Sequence, residues 1–278
     1  MRNRWTASFL LLSVLWTASA QPSEAAVPPP VRLDAACAAD LAARLGPVGV
    51  LGCDPAGRGL AVVVLGDLAT ARSVAVLVPG SDTDLARLHD PASPQRRPFG
   101  WARALADAGG PGLAVVLWVG YVTPDGLGVD AASGRLARAG ATALVRFVDD
   151  LRAGPSAAAH VTVVGHSYGA VVAALAAPDL AAEDVVLVGS PGARAGSVAD
   201  LDTRARVWAG RADADWIGRV PGVRIGDLGH GRDPAGPGFG ARPLPVDGVR
   251  GHDGYLAPGT ASLDAIARIA TAPAGGAA

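Results

Sequence analysis

The 278-residue chain contains no lysine, and all 24 of its basic residues are arginines. Without a lysine amine the chain cannot form a Schiff base, build a Walker-A phosphate loop or supply the base of a Ser–Lys catalytic pair. Its formal net charge is −1, and the sequence has no cluster of basic residues. We therefore expect neither nucleic acid nor an anionic membrane as its partner.

Cysteine is also scarce, with Cys37 and Cys53 as the two cysteines of the chain. No Cys/His spacing typical of a metal site is present, so we expect no metal and no other cofactor. In an exported chain an isolated pair of cysteines is most simply a disulfide, which would stabilise the fold by about 3 kcal/mol. Two buried free thiols are the alternative.

The sequence lacks a long apolar run, because the one near its start covers only residues 9–16 and is short for a membrane span. Arg2 and Arg4 precede this run, and Ala-Ser-Ala follows it at 18–20. This order is typical of a secretory signal peptide over residues 1–20. We expect secretion or attachment to the cell envelope, with no transmembrane segment after cleavage near Ala20; an uncleaved signal anchor is the alternative.

The rest of the chain divides by composition. Residues 21–34 form a Pro-rich leader, residues 35–271 fit one domain, and residues 272–278 predict a disordered tail. Half of all residues are hydrophobic, which allows a large buried core. The sequence has no internal repeats and favours no particular oligomeric state.

Strand and helix patterns alternate along this domain. Apolar runs predict strands over residues 60–65, 73–78, 113–119, 161–164, 185–188, 206–209 and 223–225. Helical spacing predicts helices over residues 35–45, 101–108, 136–151, 170–177 and 263–270. The first two strands are expected to pair antiparallel. The alternation predicts an α/β fold with a mainly parallel, doubly wound sheet and helices on both faces.

The most informative motif is Gly165-His166-Ser167-Tyr168-Gly169, between the strand at 161–164 and the helix at 170–177. It is typical of a nucleophile elbow, a sharp turn that presents a serine at the end of a strand. The flanking glycines supply the small residues that such a turn needs. Glycine is common in this chain, so the strand–turn–helix context gives the motif its weight. An ordinary connection with a bystander serine is the alternative.

A serine hydroxyl needs a base, and histidine titrates closest to neutral pH. Of the five histidines, His230 and His252 follow Ser167 far enough along the chain to complete the order Ser…Asp/Glu…His. His252 precedes the last helix and is the favoured base. His230 is the spare candidate.

The acid that orients such a histidine should follow a strand between Ser167 and the base. Asp213 and Asp215 both lie in the segment after the strand at 206–209. Asp215 is favoured, because an acidic residue followed by one residue and then Ile or Val is the usual form. A helix N-cap is the alternative role for either aspartate.

Two backbone N–H groups are the candidates for an oxyanion hole. One belongs to Tyr168, at the start of the helix that follows the elbow. The other belongs to Ser81, in the Pro-Gly-Ser segment after the strand at 73–78, where Gly80 permits close approach of the backbone. A plain surface turn at Gly80–Ser81 is the alternative.

Together these segments resemble an α/β-hydrolase, in particular the largely uncharacterised actinobacterial α/β-hydrolase domain family. The similarity covers about residues 59–270 and rests on segments 66–71, 74–80, 118–121, 165–169, 185–192, 236–241 and 251–256. It implies the α/β-hydrolase fold and a Ser167, Asp215 and His252 triad. The chain departs from the pattern at Tyr168, which is bulky, and at Asp253, where the family usually has serine.

Together with the predicted signal peptide, the resemblance implies an exported serine hydrolase that cleaves carboxylic esters through an acyl-enzyme, with a small-molecule or lipid ester as substrate. The short stretch between residues 188 and 206 indicates that no large cap domain is present. Loops 82–99 and 229–251 are expected to form a partial rim, and four aromatic residues either line it or belong to the core: Trp118, Tyr121, Tyr168 and Phe239. A non-catalytic envelope-associated binding protein on the same fold and an acyltransferase are the alternative functions.

Overall fold

The structure is a computed structural model and describes residues 26–154 and 156–272. The signal peptide predicted over 1–20 and nearly all of the predicted tail lie outside these residues. Residues 26–34 of the Pro-rich leader are described, and Leu33 forms a parallel β-bridge with Cys53. An Arg146 guanidinium N–H also donates to the Pro28 carbonyl at 2.6 Å, so this part of the leader contacts the domain.

In the part of the chain that the structure describes, eight strands form one sheet in the order β1-β2-β4-β3-β5-β6-β7-β8. Their bounds are β1 Gly49–Asp54, β2 Leu60–Leu65, β3 Ser73–Val78, β4 Leu113–Val119, β5 His160–His166, β6 Asp184–Val188, β7 Arg206–Gly210 and β8 Arg242–Pro243. From β4 to β8 all neighbours are parallel, while β2 pairs antiparallel with both β1 and β4. The mainly parallel sheet is as predicted.

Two details of the predicted strands are wrong. β2 and β3 do not pair with each other, because β4 lies between them and pairs with both. β3 is buried along its whole length, which suits an interior strand with parallel neighbours on both sides. The strand predicted over 223–225 is an exposed loop that ends in a tight turn, where Ile225 and Leu228 bridge each other.

Helices cover both faces of the sheet, as predicted. They are α1 Ala35–Leu45, α2 Pro98–Gly109, α3 Val129–Ala132, α4 Arg135–Ala153, α5 Tyr168–Ala176 and α6 Ala261–Ala270. Alternate residues of β3 enter two different cores: Val74, Val76 and Val78 pack with α4 and α5, whereas Ala75 and Leu77 pack with α1, α2 and α6. This alternation follows from the period-two geometry of a strand. The sheet is therefore the middle layer of three.

A disulfide joins Cys37 in α1 to Cys53 in β1, with their Cα atoms 5.7 Å apart. Asp34 caps the start of α1, because its carboxylate accepts from the Cys37 N–H at 2.8 Å. The cross-link therefore fastens the first helix to the edge strand of the sheet.

Among the described residues, no helix has both the length and the apolar character needed to cross a membrane.

Candidate active site

The predicted nucleophile elbow lies where β5 ends and α5 begins, so the structure has the strand–turn–helix arrangement that the sequence predicts. Ser167 connects the two elements with φ 57° and ψ −127°, a conformation that side-chain-bearing residues rarely adopt. A Cβ added to Gly165 would stand 2.6 Å from the Ala170 Cα, and one on Gly169 would stand 2.1 Å from the Val78 carbonyl oxygen. The two glycines thus provide the space in which the strained serine is held.

The structure brings Ser167, His252 and Asp215 into one hydrogen-bonded row. His252 Nε2 lies 2.7 Å from Ser167 Oγ, and its Nδ1 lies 2.9 and 3.0 Å from the two Asp215 carboxylate oxygens. A carboxylate only accepts, so His252 Nδ1 donates to Asp215 and Nε2 is free to accept the serine proton. Such a row can activate a serine hydroxyl for attack.

Asp215 is buried, and its carboxylate accepts hydrogen bonds from three residues in the described part of the chain. Besides His252, the Tyr255 hydroxyl donates to Oδ2 at 2.6 Å and the Ile217 N–H donates to Oδ1 at 2.9 Å. Burial raises the pKa of Asp215, but the three hydrogen bonds outweigh it and hold this pKa below its usual value. Asp215 therefore stays a carboxylate beside His252, and it also caps the 3-10 turn Trp216–Arg219.

The two spare candidates lie apart from this row. Asp213 is exposed, two residues before the buried Asp215. His230 is buried, and its Nε2 donates to the Ala131 carbonyl at 2.7 Å rather than to a group of the row. Burial lowers the pKa of His230, so its environment favours a neutral ring that holds a loop.

Sequence reasoning did not assign a role to His166, the residue just before the serine. Its Nε2 donates to the His252 carbonyl at 2.8 Å, and its ring packs 4.8 Å from the His252 ring. Burial, and after it the charge of His252, lowers the pKa of His166 from 6.5 to about 3. His166 is therefore a neutral ring that holds the backbone of the candidate base.

Tyr255 is the second contact that the sequence did not indicate. Its hydroxyl donates to Asp215 and accepts from the Ala212 N–H at 3.1 Å, so it joins the loop of His252 to the loop of Asp215. Burial and the bond to Asp215 raise the pKa of this phenol. The motif that contains His252 includes Tyr255, but no spacing rule indicates that the hydroxyl turns back toward the acid.

The segment after β3 lies directly against the elbow. A Cβ added to Gly80 would stand 2.7 Å from the Ser167 Cβ and 3.0 Å from the Tyr168 nitrogen, so only glycine fits here. The Tyr121 hydroxyl donates to the Pro79 carbonyl at 2.7 Å and fixes the start of this segment. Ser81 follows and lines the same cleft as Ser167 and Tyr168.

The bulky Tyr168 side chain does not obstruct the serine. Its ring is buried, its hydroxyl donates to the Ser133 carbonyl at 2.7 Å, and it accepts from the Ala137 N–H at 3.0 Å. The backbone N–H of Tyr168 belongs to the first turn of α5, where helical N–H groups lack intrahelical partners. The Tyr168 side chain thus anchors the elbow to the start of α4. Its backbone N–H remains at the N-terminal end of α5, without an intrahelical partner.

Comparison with known families decides what kind of protein carries this site. The family model described as alpha/beta hydrolase matches residues 54–225 of the chain. The chain belongs to the alpha/beta hydrolase family. This confirms the resemblance inferred from the sequence.

The relatives of this alpha/beta hydrolase include mycobacterial proteins, in agreement with the predicted actinobacterial family. An uncharacterised protein of Mycobacterium tuberculosis strain H37Rv is 34% identical over 263 residues, covering 81% of this chain and 39% of the relative. An uncharacterised protein of Mycobacterium bovis is 38% identical over 143 residues, covering 48% of this chain and 52% of the relative. The chain thus spans 39% to 52% of the length of these curated relatives.

Solved structures similar to this chain include two bacterial proteins. The dienelactone hydrolase from Anabaena variabilis ATCC 29413 is 18% identical, covers 81% of this chain and 94% of its own, and has a TM-score of 0.49. A serine hydrolase without a lid from Xanthomonas campestris is 22% identical, covers 62% of this chain and 74% of its own, and has a TM-score of 0.41.

An open cleft of about 420 Å³ runs past Ser167. Trp216 lines this cleft and packs against His252, with the two ring centroids 4.8 Å apart. The other walls come mainly from segments 127–132 and 217–230. Of the two predicted rim loops, 82–99 contributes no lining residue to this cleft, and 229–251 contributes only Gly229 and His230. All four aromatic residues considered belong to the core, and Tyr168 also lines the cleft.

No cap domain follows β6. The connection to β7, residues 189–205, contains the 3-10 turn Ala199–Leu201 and no α-helix.

Asp253, the unusual residue beside His252, lies 3.7 Å from the Arg96 guanidinium as part of an ion pair. Within residues 26–154 and 156–272 no group of three His, Cys, Asp or Glu side chains is placed to hold a metal ion.

Proposed function

We propose that this hydrolase cleaves carboxylic esters with Ser167 as nucleophile, His252 as general base and acid, and Asp215 as the carboxylate that orients His252. The observation that carries the proposal is the 2.7 Å contact of His252 Nε2 with Ser167 Oγ, at a serine held in a strained elbow. The row continues to a buried carboxylate whose pKa lies below its usual value. These are the three roles that a serine hydrolase requires.

In this mechanism the Ser167 oxygen attacks the ester carbonyl carbon while its proton moves to His252 Nε2. The carbonyl oxygen becomes an oxyanion, and the backbone N–H groups of Tyr168 and Ser81 are the proposed donors to it. The imidazolium gives its proton to the leaving alcohol, which leaves an acyl group on Ser167. Water, activated by the same nitrogen, then attacks the acyl-enzyme and releases the acid.

We also propose that the enzyme acts outside the cytoplasm on a small-molecule or lipid ester. The disulfide between Cys37 and Cys53 supports this location, because disulfides persist in oxidising compartments. The predicted signal peptide over residues 1–20 points the same way. The open cleft beside Ser167 supports an exposed acyl ester as substrate.

Hydrolysis of p-nitrophenyl acetate by the wild type and by variants of Ser167, His252 and His230 tests the reaction. We expect His252→Ala and Ser167→Ala each to lower kcat by about 10⁴-fold or more, because each removes a member of the triad. His230→Ala is the control, since His230 lies in the cleft wall but outside the row. A folded Ser167→Ala variant with wild-type activity would contradict the proposal.

The same assay separates the alternative functions. A folded wild-type protein that cleaves no ester would favour a non-catalytic binding protein on this fold. An ester product formed with an added alcohol, in preference to the free acid, would favour an acyltransferase.

A further inference from the structure

Apolar side chains beside the mouth of the Ser167 cleft are unusually exposed. The exposed fractions are 71% for Leu127, 72% for Val129, 57% for Val223, 79% for Ile225 and 56% for Leu228. All of these except Val129 also line the cleft. A contiguous apolar surface that is both exposed and part of a concave site is typical of a place that a ligand covers.

The segment that carries two of these residues is a fixed turn. The Ile225 N–H donates to the Leu228 carbonyl at 2.9 Å, and the Leu228 N–H donates back to the Ile225 carbonyl at 3.1 Å. At its tip Gly226 has φ +60°, which glycine adopts without strain. The turn therefore holds both apolar side chains in place before any ligand arrives.

Asp227 fastens this turn to the body of the protein. Its carboxylate accepts two hydrogen bonds from the Arg138 guanidinium, at 2.7 and 3.0 Å, and one from Arg194 at 2.7 Å. The Gly229 N–H donates to the Ala132 carbonyl at 2.7 Å on the same side. A paired arginine fork on a carboxylate fixes orientation as well as position. The apolar wall is thus preorganised.

The position of the turn relative to His252 decides which half of an ester it faces. Trp216 packs on the His252 ring, with the ring centroids 4.8 Å apart. The turn is linked instead to the residue after Ser167, because the Tyr168 hydroxyl donates to the Ser133 carbonyl and Ser133 forms a β-bridge with Leu228. The leaving oxygen must be within hydrogen-bond reach of His252 Nε2, so the alcohol half lies on the Trp216 side. The acyl half then extends toward the turn.

We propose that Leu127, Ile225 and Leu228 form an acyl-chain subsite, which makes esters of apolar acyl chains the preferred substrates. This inference rests on the ester hydrolysis proposed above. Each methylene that reaches the wall should raise kcat/KM by about fourfold, the factor that corresponds to burying one methylene. Polar or very short acyl groups leave the apolar side chains exposed to water, so these side chains do not raise kcat/KM for such esters.

Two ester series and one pair of variants test the subsite. The acyl series is p-nitrophenyl acetate, butyrate and octanoate; the alcohol series is ethyl, butyl and octyl acetate. The test variant is Ile225→Ser with Leu228→Ser, and the control is Val129→Ser, which removes an equally exposed apolar side chain outside the cleft. All these side chains are exposed, so folding should be unaffected, and circular dichroism checks this.

We expect wild-type kcat/KM to rise along the acyl series, and the double variant to lose at least about tenfold on octanoate but little on acetate. The control should behave as wild type, and the alcohol series should respond to neither variant. An active enzyme with no acyl-length dependence, or an equal loss in the alcohol series or in Val129→Ser, overturns the subsite alone. Absence of acetate hydrolysis by a folded wild type overturns the proposed function and the subsite together.

Discussion

The Nε2 atom of His166 lies 2.8 Å from the carbonyl oxygen of His252, so the residue before the candidate nucleophile holds the residue that contacts it. The carbonyl can only accept, which fixes the proton of His166 on Nε2. Its Nδ1 is buried and has no hydrogen-bond partner among the described residues. A second proton on this ring would therefore be buried without an acceptor; burial, and after it the charge of His252, lowers the pKa of His166 to about 3.

This low pKa predicts a loss of stability in mild acid. Between about pH 6.5 and 3 the unfolded chain binds a proton at His166 that the folded chain excludes. The free energy of unfolding should therefore fall with decreasing pH over this range, by about 1.4 kcal/mol per pH unit from this group. His166→Gln keeps a donor for the His252 carbonyl but does not titrate. In this variant the pH-dependent contribution of His166 to the free energy of unfolding should disappear.

Urea unfolding at several pH values measures the effect. His230→Gln is the control, because His230 is also buried with a lowered pKa but does not contact His252. This control variant should keep the part of the pH dependence of unfolding that comes from His166. Equal pH slopes for wild type and His166→Gln between pH 6.5 and 4 would show that His166 is not excluded from protonation.

The two aspartates after β7 give a second prediction. Asp215→Asn should lower kcat by about 10⁴-fold, because an amide neither stabilises an imidazolium nor selects the required tautomer of His252. Asp213→Asn removes an exposed carboxylate two residues away and should change kcat by no more than about twofold. Steady-state ester hydrolysis measures both. Equal losses in the two variants would remove Asp215 from its proposed role.

The elbow glycines give a third prediction. Gly169→Ala would place a Cβ 2.1 Å from the Val78 carbonyl oxygen, so the backbone must shift and stability should fall by about 1–3 kcal/mol. Gly128→Ala is the matched control, since its Cβ would meet no heavy atom within 4 Å and its φ of −76° suits alanine. Denaturant midpoints of the two variants test this. A Gly169→Ala protein as stable and active as the control would contradict the tight contact.

The disulfide gives a fourth prediction. Replacing Cys37 and Cys53 together by serine opens a cross-link between residues 16 apart and should lower the free energy of unfolding by about 3 kcal/mol. Reductant should destabilise the wild type by a similar amount and leave the double variant unchanged. Wild-type stability that is insensitive to reductant, with both thiols free by mass spectrometry, would favour the alternative of two unpaired cysteines.

The sequence predicts the interior strands well because each is a continuous apolar run. β2, β3 and β4 begin and end at the predicted residues, 60–65, 73–78 and 113–119. Strand order is a different matter, since it depends on crossovers that local patterns do not encode. The pairing of β2 with β3 was wrong for this reason.

Edge and loop segments are where local reasoning fails. β1, Gly49–Asp54, was not predicted because it contains two glycines and is partly exposed, so its pairing with β2 defines it. Residues 223–225 resemble a strand by composition, yet Ile225 belongs to the apolar wall of the cleft. An apolar side chain placed for a ligand is indistinguishable in sequence from one placed for a core.

For the candidate site, chain order and residue chemistry select the same serine, histidine and aspartate that the structure brings together. Their catalytic roles stay a prediction. The supporting contacts of His166 and Tyr255 join residues 86 and 40 positions apart. Such contacts depend on how the loop before α6 meets the ends of β5 and β7, which a single sequence does not reveal.

Labelling with a fluorophosphonate, followed by peptide mapping, tests the central claim most directly. Ser81 shares the cleft with Ser167 and so provides an internal comparison. We predict a single adduct on Ser167 in the wild type and in Ser81→Ala, none in Ser167→Ala, and much slower labelling in His252→Ala. A folded wild-type protein that is not labelled, or that carries its adduct on another serine, would contradict the proposal that Ser167 is the nucleophile.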